Sequence, residues 1–180
     1  GFVVWLPPTI SQEEPAILNG FTWLRNNQSA DGSWGDGPTN LTTRFYTTTV
    51  VVNTFHSFNI TDSTYQKGVQ WVSNQNVTNV DHISRKAEAL SKAGMNASQE
   101  INELTSLQNR DGGWGTAEGF TSDILDTALA VKALAVARYF TGTVLEKGVT
   151  YLLNGKNWDG GYGLAPVSYT HLRAHETGRN

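Results

Sequence analysis

The segment Asp123-Ile-Leu-Asp126-Thr-Ala128 carries the chain's best chance of chemistry. Its two carboxylates stand one helical turn apart, so on a helix they share a face. A carboxyl held in dry surroundings beside a second carboxyl resists ionisation and keeps a transferable proton. The same pair is a poor start for a Mg²⁺ site, which needs a larger carboxylate cluster. The rival reading gives Asp123 the role of helix cap and Asp126 that of a buried hydrogen-bond partner to a neighbouring helix end. His82 lies near the start of the second unit's inner helix, opposite Asp126 when the chain is aligned with itself. His171-Leu-Arg-Ala-His175 has helical metal-ligand spacing but lacks a glutamate beside the first histidine. The chain has no cysteine, which excludes disulfides, thiolate zinc sites and a cysteine nucleophile. No metal and no cofactor is expected.

The elements that must position these residues come from self-similarity. Gly20–Gly35 ends in Asn-Gln-Ser-Ala-Asp-Gly-Ser-Trp-Gly. A shift of 80 residues lays Leu104–Gly115 on it, and a shift of 128 lays Gly148–Gly163 on it without a gap. A shift of 48 matches Gly68–Gln75 to the opening half only. Units therefore start near residues 16, 64, 99 and 144. Such a period marks stacked supersecondary units. Each unit reads as two helices. The first is amphipathic, as in Ala16, Ile17, Phe21, Trp23 and Leu24, and stops at the Asp-Gly-x-Trp-Gly turn. The second is clearest at Asp123–Tyr139, apolar nearly all round, so it should be buried on most sides. Its counterpart, Phe45–Phe58, holds Thr-Thr-Thr-Val-Val-Val, which local propensity reads as strand. The repeat places it opposite a strong helix, and helix is the expectation.

Gln28…Asp31-Gly-Ser-Trp34-Gly and Gln108…Asp111-Gly-Gly-Trp114-Gly, with a variant at Lys156…Tyr162, resemble the QW repeat of the prenyltransferase/squalene-oxidase superfamily. The resemblance covers about residues 16–163 and is closest in kind to the squalene–hopene cyclases. It implies an all-α fold, an incomplete (α/α) toroid of repeated helical hairpins around an apolar cavity. It also implies that Gln28, Trp34, Gln108, Trp114 and Tyr162 are structural, stapling one unit to the next. The cyclases carry Asp-x-Asp-Asp-Thr-Ala at an inner-helix start, and the middle Asp is the proton donor. Here Asp123 and Asp126 match the outer aspartates, while Leu125 stands at the donor position. Phe45, Tyr46, Phe55, His82 and Tyr139 are the candidate cavity-lining residues. An apolar isoprenoid-like ligand and the remaining repeats of a parent chain are the implied partners. Because of Leu125, the first expectation is a fragment serving as a non-catalytic binding or structural module. The alternative is part of an active isoprenoid cyclase whose other catalytic residues lie outside this chain.

Composition sets the remaining bounds. A net charge of −3 gives no bulk attraction to nucleic acid or anionic membrane. No apolar run is long enough to span a bilayer. Charged residues are only 16% of the 180, with Asn, Ser and Thr taking their place, which leans toward an extracytoplasmic or cell-surface setting. The organisation expected is an N-terminal segment over 1–15, about three and a half hairpin units over 16–165, and a non-native tail over 166–180, where the repeat pattern breaks.

Overall fold

A computed structural model describes residues 15–35 and 41–163. The expected 166–180 tail, with His171 and His175, and residues 1–14 lie outside the described residues. The described residues form seven helices and no strand. They are α1 (Pro15–Asn26), α2 (Leu41–Ser57), α3 (Ser63–Ser73), α4 (Val80–Lys92), α5 (Ser98–Ser106), α6 (Ile124–Val136) and α7 (Val144–Asn154). The all-α expectation holds. The odd-numbered helices begin where the self-similarity begins, to within a residue.

Helix α2 shows why local propensity lost. Phe45, Thr48, Thr49, Val51, Val52 and Phe55 are all buried along it. The threonine hydroxyls find partners within the helix: Thr49 Oγ1 donates to the Tyr46 carbonyl at 2.8 Å and Thr54 Oγ1 to the Val50 carbonyl at 2.9 Å. Packing on one face thus outweighs the few tenths of a kcal/mol per residue by which β-branched residues disfavour a helix.

Helices α2, α4 and α6 pack side by side in chain order, α4 against α6 most extensively. Helix α3 packs on α2 and α4, α5 on α4 and α6, and α7 on α6. Helix α1 seats Phe21 edge-on against Phe55 and Phe58, with centroids 5.0 and 5.2 Å apart. One core gathers around Phe45, Phe55, Trp34 and Val72, the other around Trp114, Ile83, Leu104 and Leu134. Val77 and Ile101 touch both.

Helix α4 is the centre and is held partly by charge. Lys86, 9% exposed, reaches the Gln75 carbonyl at 2.8 Å and Glu100 of α5 at 3.0 Å. Glu88, 4% exposed, is met by Lys92 at 2.6 Å and by Lys132 of α6 at 2.9 Å. Burial alone would raise the Glu88 pKa. The two lysines outweigh it and leave the carboxyl below its ordinary value.

Candidate functional site

The two Asp-Gly-x-Trp-Gly turns share the bonds made by their Gln and Trp residues. Gln28 Nε2 donates to the Gly32 and Thr64 carbonyls at 2.9 and 2.8 Å. Gln108 Nε2 does the same to Gly112 and Val144 at the same distances. Each amide thereby ties its own turn to the first turn of the next odd-numbered helix. The Trp34 and Trp114 indoles donate to the Leu24 and Leu104 carbonyls, both at 2.7 Å, covering orphan carbonyls at a helix C-terminus. The Trp34 and Trp114 amides donate to Thr48 and Thr127 hydroxyls, both at 2.9 Å. Gly32 and Gly112 have φ of 96° and 89°, and a side chain there would meet the Lys67 or Lys147 carbonyl at 2.6 or 2.8 Å. Tyr162 sits in the third turn, paired with Lys156 and partly exposed.

One detail differs between the copies. In the first, Ser33 Oγ donates to Asp31 Oδ1 at 2.8 Å and accepts from Arg44. In the second, Gly113 stands at that position. The hydroxyl comes instead from Ser122, which donates to Asp111 Oδ1 at 2.8 Å and accepts from Asn109 Nδ2 at 2.9 Å. Asp31 pairs with Arg44 and accepts from Trp71 Nε1 at 3.2 Å, and its pKa is lowered to about 2. Its partial burial pulls upward, but the Ser33 and Arg44 hydrogen bonds win.

The Trp114 turn aims the start of α6. The Asp123 amide donates to the Trp114 carbonyl at 2.9 Å, and the Asp123 carboxylate caps the helix by accepting from the Asp126 amide at 2.9 Å. Asp126 lies one turn on, only 6% exposed. Its pKa is raised to about 6 by burial first, then by the hydrogen bond and charge of Asp123, with a further push from Asp81 of α4. A hydrogen bond from Thr116 opposes these. Helix α4 starts the same way. Asn79 Oδ1 accepts from the His82 amide at 2.8 Å, so His82 occupies on α4 the place Asp126 occupies on α6. Thr116 joins the two helix starts, since its carbonyl accepts from the Val80 amide at 2.9 Å.

The other sequence candidates separate. Phe45 and Phe55 are fully buried among Phe21, Trp34, Trp71 and His82, so they are core and line no open face. The Phe45 ring meets Trp71 of α3 and His82 of α4, and the Phe55 ring meets Phe21 of α1 and Trp34. Tyr46, one residue on, is half-exposed with the Arg85 guanidinium 4.5 Å over its ring. His82 is half-buried, 4.9 Å from the Phe45 ring. Burial lowers its pKa, Asp81 opposes that and Arg85 adds to it. Tyr139 packs against the second core beyond the far end of α6, away from Asp126. Leu125 is 53% exposed. Among the described residues no group of three or more His, Asp and Glu is arranged to hold a metal ion. None of the described helices is long and apolar enough to cross a membrane.

Sequence reasoning missed Asp81, Arg85 and Thr116. The i,i+4 spacing of Asp81 and Arg85 was the available signal, and the two do form an ion pair. Thr116 had none, because its role rests on a loop carbonyl meeting a distant helix start.

Comparison with known proteins supports a terpene cyclase-like relationship over part of the chain and no more. It is 42% identical over 71 residues to a drimenyl diphosphate synthase of Streptomyces showdoensis, a stretch covering 39% of this chain and 13% of that protein. It is 39% identical over 74 residues to a drimenyl diphosphate synthase of Streptantibioticus cattleyicolor, covering 41% of this chain and 14% of the relative. The chain thus matches about one-seventh of each relative's length. No protein-family profile matches it.

Proposed function

We propose that this chain is a stretch of a terpene-cyclase domain that starts cyclisation by protonation, with Asp126 as the acid. In this reading the hairpins are consecutive QW-type units of an (α/α) toroid, and the Asp126 end of α6 faces the hollow. The observation that carries it is the Asp126 carboxyl: buried, beside Asp123, and protonated up to about pH 6. An acid tuned this way is far closer to neutrality than an ordinary aspartate, which favours proton transfer at working pH.

The step is a proton transfer from the Asp126 carboxyl oxygen to one alkene carbon of an isoprenoid chain. The π electron pair forms the new C–H bond, and the cation develops on the more substituted carbon. The carboxylate left behind accepts from Thr116 and lies in the first turn of α6, where the helix dipole favours negative charge. Asp123 keeps its capping bond and contributes the repulsion that holds the proton on Asp126 up to near-neutral pH. Tyr46 and Leu125 are the proposed apolar lining. Phe45, Phe55 and Tyr139 are left to packing. Relatives named for making drimenyl diphosphate support a prenyl diphosphate as the substrate class.

Leu125 at the donor position of the resembled motif favours a second reading, a non-catalytic module that only binds an apolar chain. The intact protein carrying this segment, incubated with squalene and with prenyl diphosphates and followed by mass spectrometry, separates the two. The catalytic reading expects a cyclised product from wild type and Asp126→Glu, and none from Asp126→Asn. A product that survives Asp126→Asn refutes Asp126 as the acid. No product with any substrate supports the binding module.

A further inference from the structure

The three side-by-side helices α2, α4 and α6 end in the same turn. Just past each helix a residue turns left-handed: Asn59, Gly94 and Arg138, with φ of 56°, 69° and 55°. The next amide then reaches back into the helix. Ile60, Met95 and Tyr139 donate to the Phe55, Leu90 and Leu134 carbonyls, each at 2.9 Å. Glycine and asparagine take this conformation readily, and arginine does not. Strain kept at one of three equivalent turns directs attention to what that side chain does.

The Arg138 side chain lines a cleft of about 620 Å³ at the ends of α4 and α6. His56 of α2, Ser91 and Lys92 of α4 and Asn96 line it too, and among the described residues no carboxylate does. Arg138 is exposed and has no ion-pair partner among the described residues. Lys92 meets Glu88 at 2.6 Å, but Glu88 also takes Lys132 at 2.9 Å. Two cations thus share one carboxylate, and positive charge is left over. From this arrangement we infer that the cleft is a binding site for a phosphate or diphosphate group. The Arg138 guanidinium is its main anchor, with Lys92 and His56 beside it. Burial, with the Lys92 charge adding to it, holds His56 toward its neutral form, so the standing charge of the site is that of Arg138 and Lys92.

Helix C-terminal carbonyls ordinarily repel an anion. Here the turns occupy them. Ala89, Leu90 and Ser91 accept from the Ala93, Met95 and Gly94 amides, and Ala133, Leu134 and Ala135 from those of Ala137, Tyr139 and Arg138. A rival account makes Lys92 and Arg138 mere complements to two helix dipoles. A cation inside the last turn of α6, where there is none, would do that without strain. The cleft is separate from Asp126, which lies about 18 Å back along α6 by helical rise.

Calorimetric titration of the full chain with inorganic pyrophosphate, at low salt and without divalent metal, tests the site. Wild type should bind one equivalent, and the His56 imidazole signals, assigned by their loss in His56→Gln, should shift. Arg138→Gly should weaken binding at least tenfold, the value of one charge-assisted hydrogen bond. Its Tm should hold or rise by about 2 °C, because the strained turn is relieved. Arg138→Lys, which keeps the charge but loses the planar fork, should fall between the two. Absent binding in wild type, an unmoved His56, or unchanged affinity in Arg138→Gly overturns the inference. So does a Tm loss beyond about 3 °C in Arg138→Gly, which would make the arginine structural. Farnesyl diphosphate as a second titrant identifies the source of the phosphate. Tighter binding than pyrophosphate, lost in Arg138→Gly, makes the cleft the seat of a prenyl diphosphate head, and equal binding makes it a site for the free anion. Asp126→Asn should bind pyrophosphate as wild type does, so this site and the acid stand or fall separately.

Discussion

The hydroxyl that serves Asp31 from Ser33 and serves Asp111 from Ser122 makes a quantitative swap experiment. A Cβ added at Gly113 would lie 2.6 Å from the Ser122 Cβ, 2.8 Å from its Oγ and 3.0 Å from Thr127 Oγ1. These neighbours are buried and cannot give way, so Gly113→Ser should destabilise by about 2–3 kcal/mol, the usual cost of overpacking. Ser122→Gly removes the bond to Asp111 and the bond from Asn109, each worth about 1 kcal/mol net, for a loss of about 2 kcal/mol. Joined in one chain, the two changes recreate the first turn's arrangement. The hydroxyl that Gly113→Ser introduces reaches Asp111 as Ser33 reaches Asp31, and the Cβ space vacated by Ser122→Gly removes the clash. The double variant should lie within about 1 kcal/mol of wild type, a coupling of about 3 kcal/mol. Thermal melts at fixed pH read this directly, because 1 kcal/mol moves Tm by about 2–4 °C at this chain length. Additive losses, with the double variant the least stable of the four, would refute the claim that the two turns are one design with an interchangeable donor.

Two further outcomes follow from the same geometry. Asp126 has a folded-state pKa of about 6 against 3.8 for the free side chain, so the folded protein binds the extra proton between those values. Stability should therefore fall as pH rises from about 4 to about 6, and Asp126→Asn should remove that slope from a series of urea titrations. Asp31 shows the opposite sign: with its pKa lowered to about 2, it stabilises above about pH 4 and loses that contribution as pH falls toward 2, so Arg44→Met should bring acid unfolding to a higher pH.

The fold was largely legible because repetition is a stronger signal than propensity. Thr47–Val52 taken alone reads as strand, and only alignment with Asp126–Val131 corrects it. The turns were legible because Gln, Asp, Gly and Trp recur at fixed offsets, and each offset turns out to be a specific hydrogen bond. Asp123 and Asp126 were legible as a spacing. Their unequal roles, one capping and one buried, were among the readings that spacing offered, since a carboxylate just before a helix suits a cap and one a turn later can turn inward. Phe45 and Phe55 are fully buried, and the Thr- and Val-rich run of α2 carries no clear periodicity to say which of its rings would meet the core and which a hollow. Thr116, Asp81 and Arg85 act through contacts between units, and a comparison of units with one another is blind to what differs at their seams.

The lysine–glutamate contacts around α4 bear on how a chain of near-copies sorts itself. Greasy surfaces of similar hairpins are interchangeable, and a repeat protein built on them alone invites docking in the wrong order. Glu88 accepts only a neighbour that brings a cation to the place of Lys132, and Lys86 only one that brings an acid to the place of Glu100. A mismatched hairpin would leave Glu88 with Lys92 alone and Lys86 with the Gln75 carbonyl alone, each a buried charge with one partner fewer. These pairs work as an address label, telling the middle hairpin which sibling belongs after it.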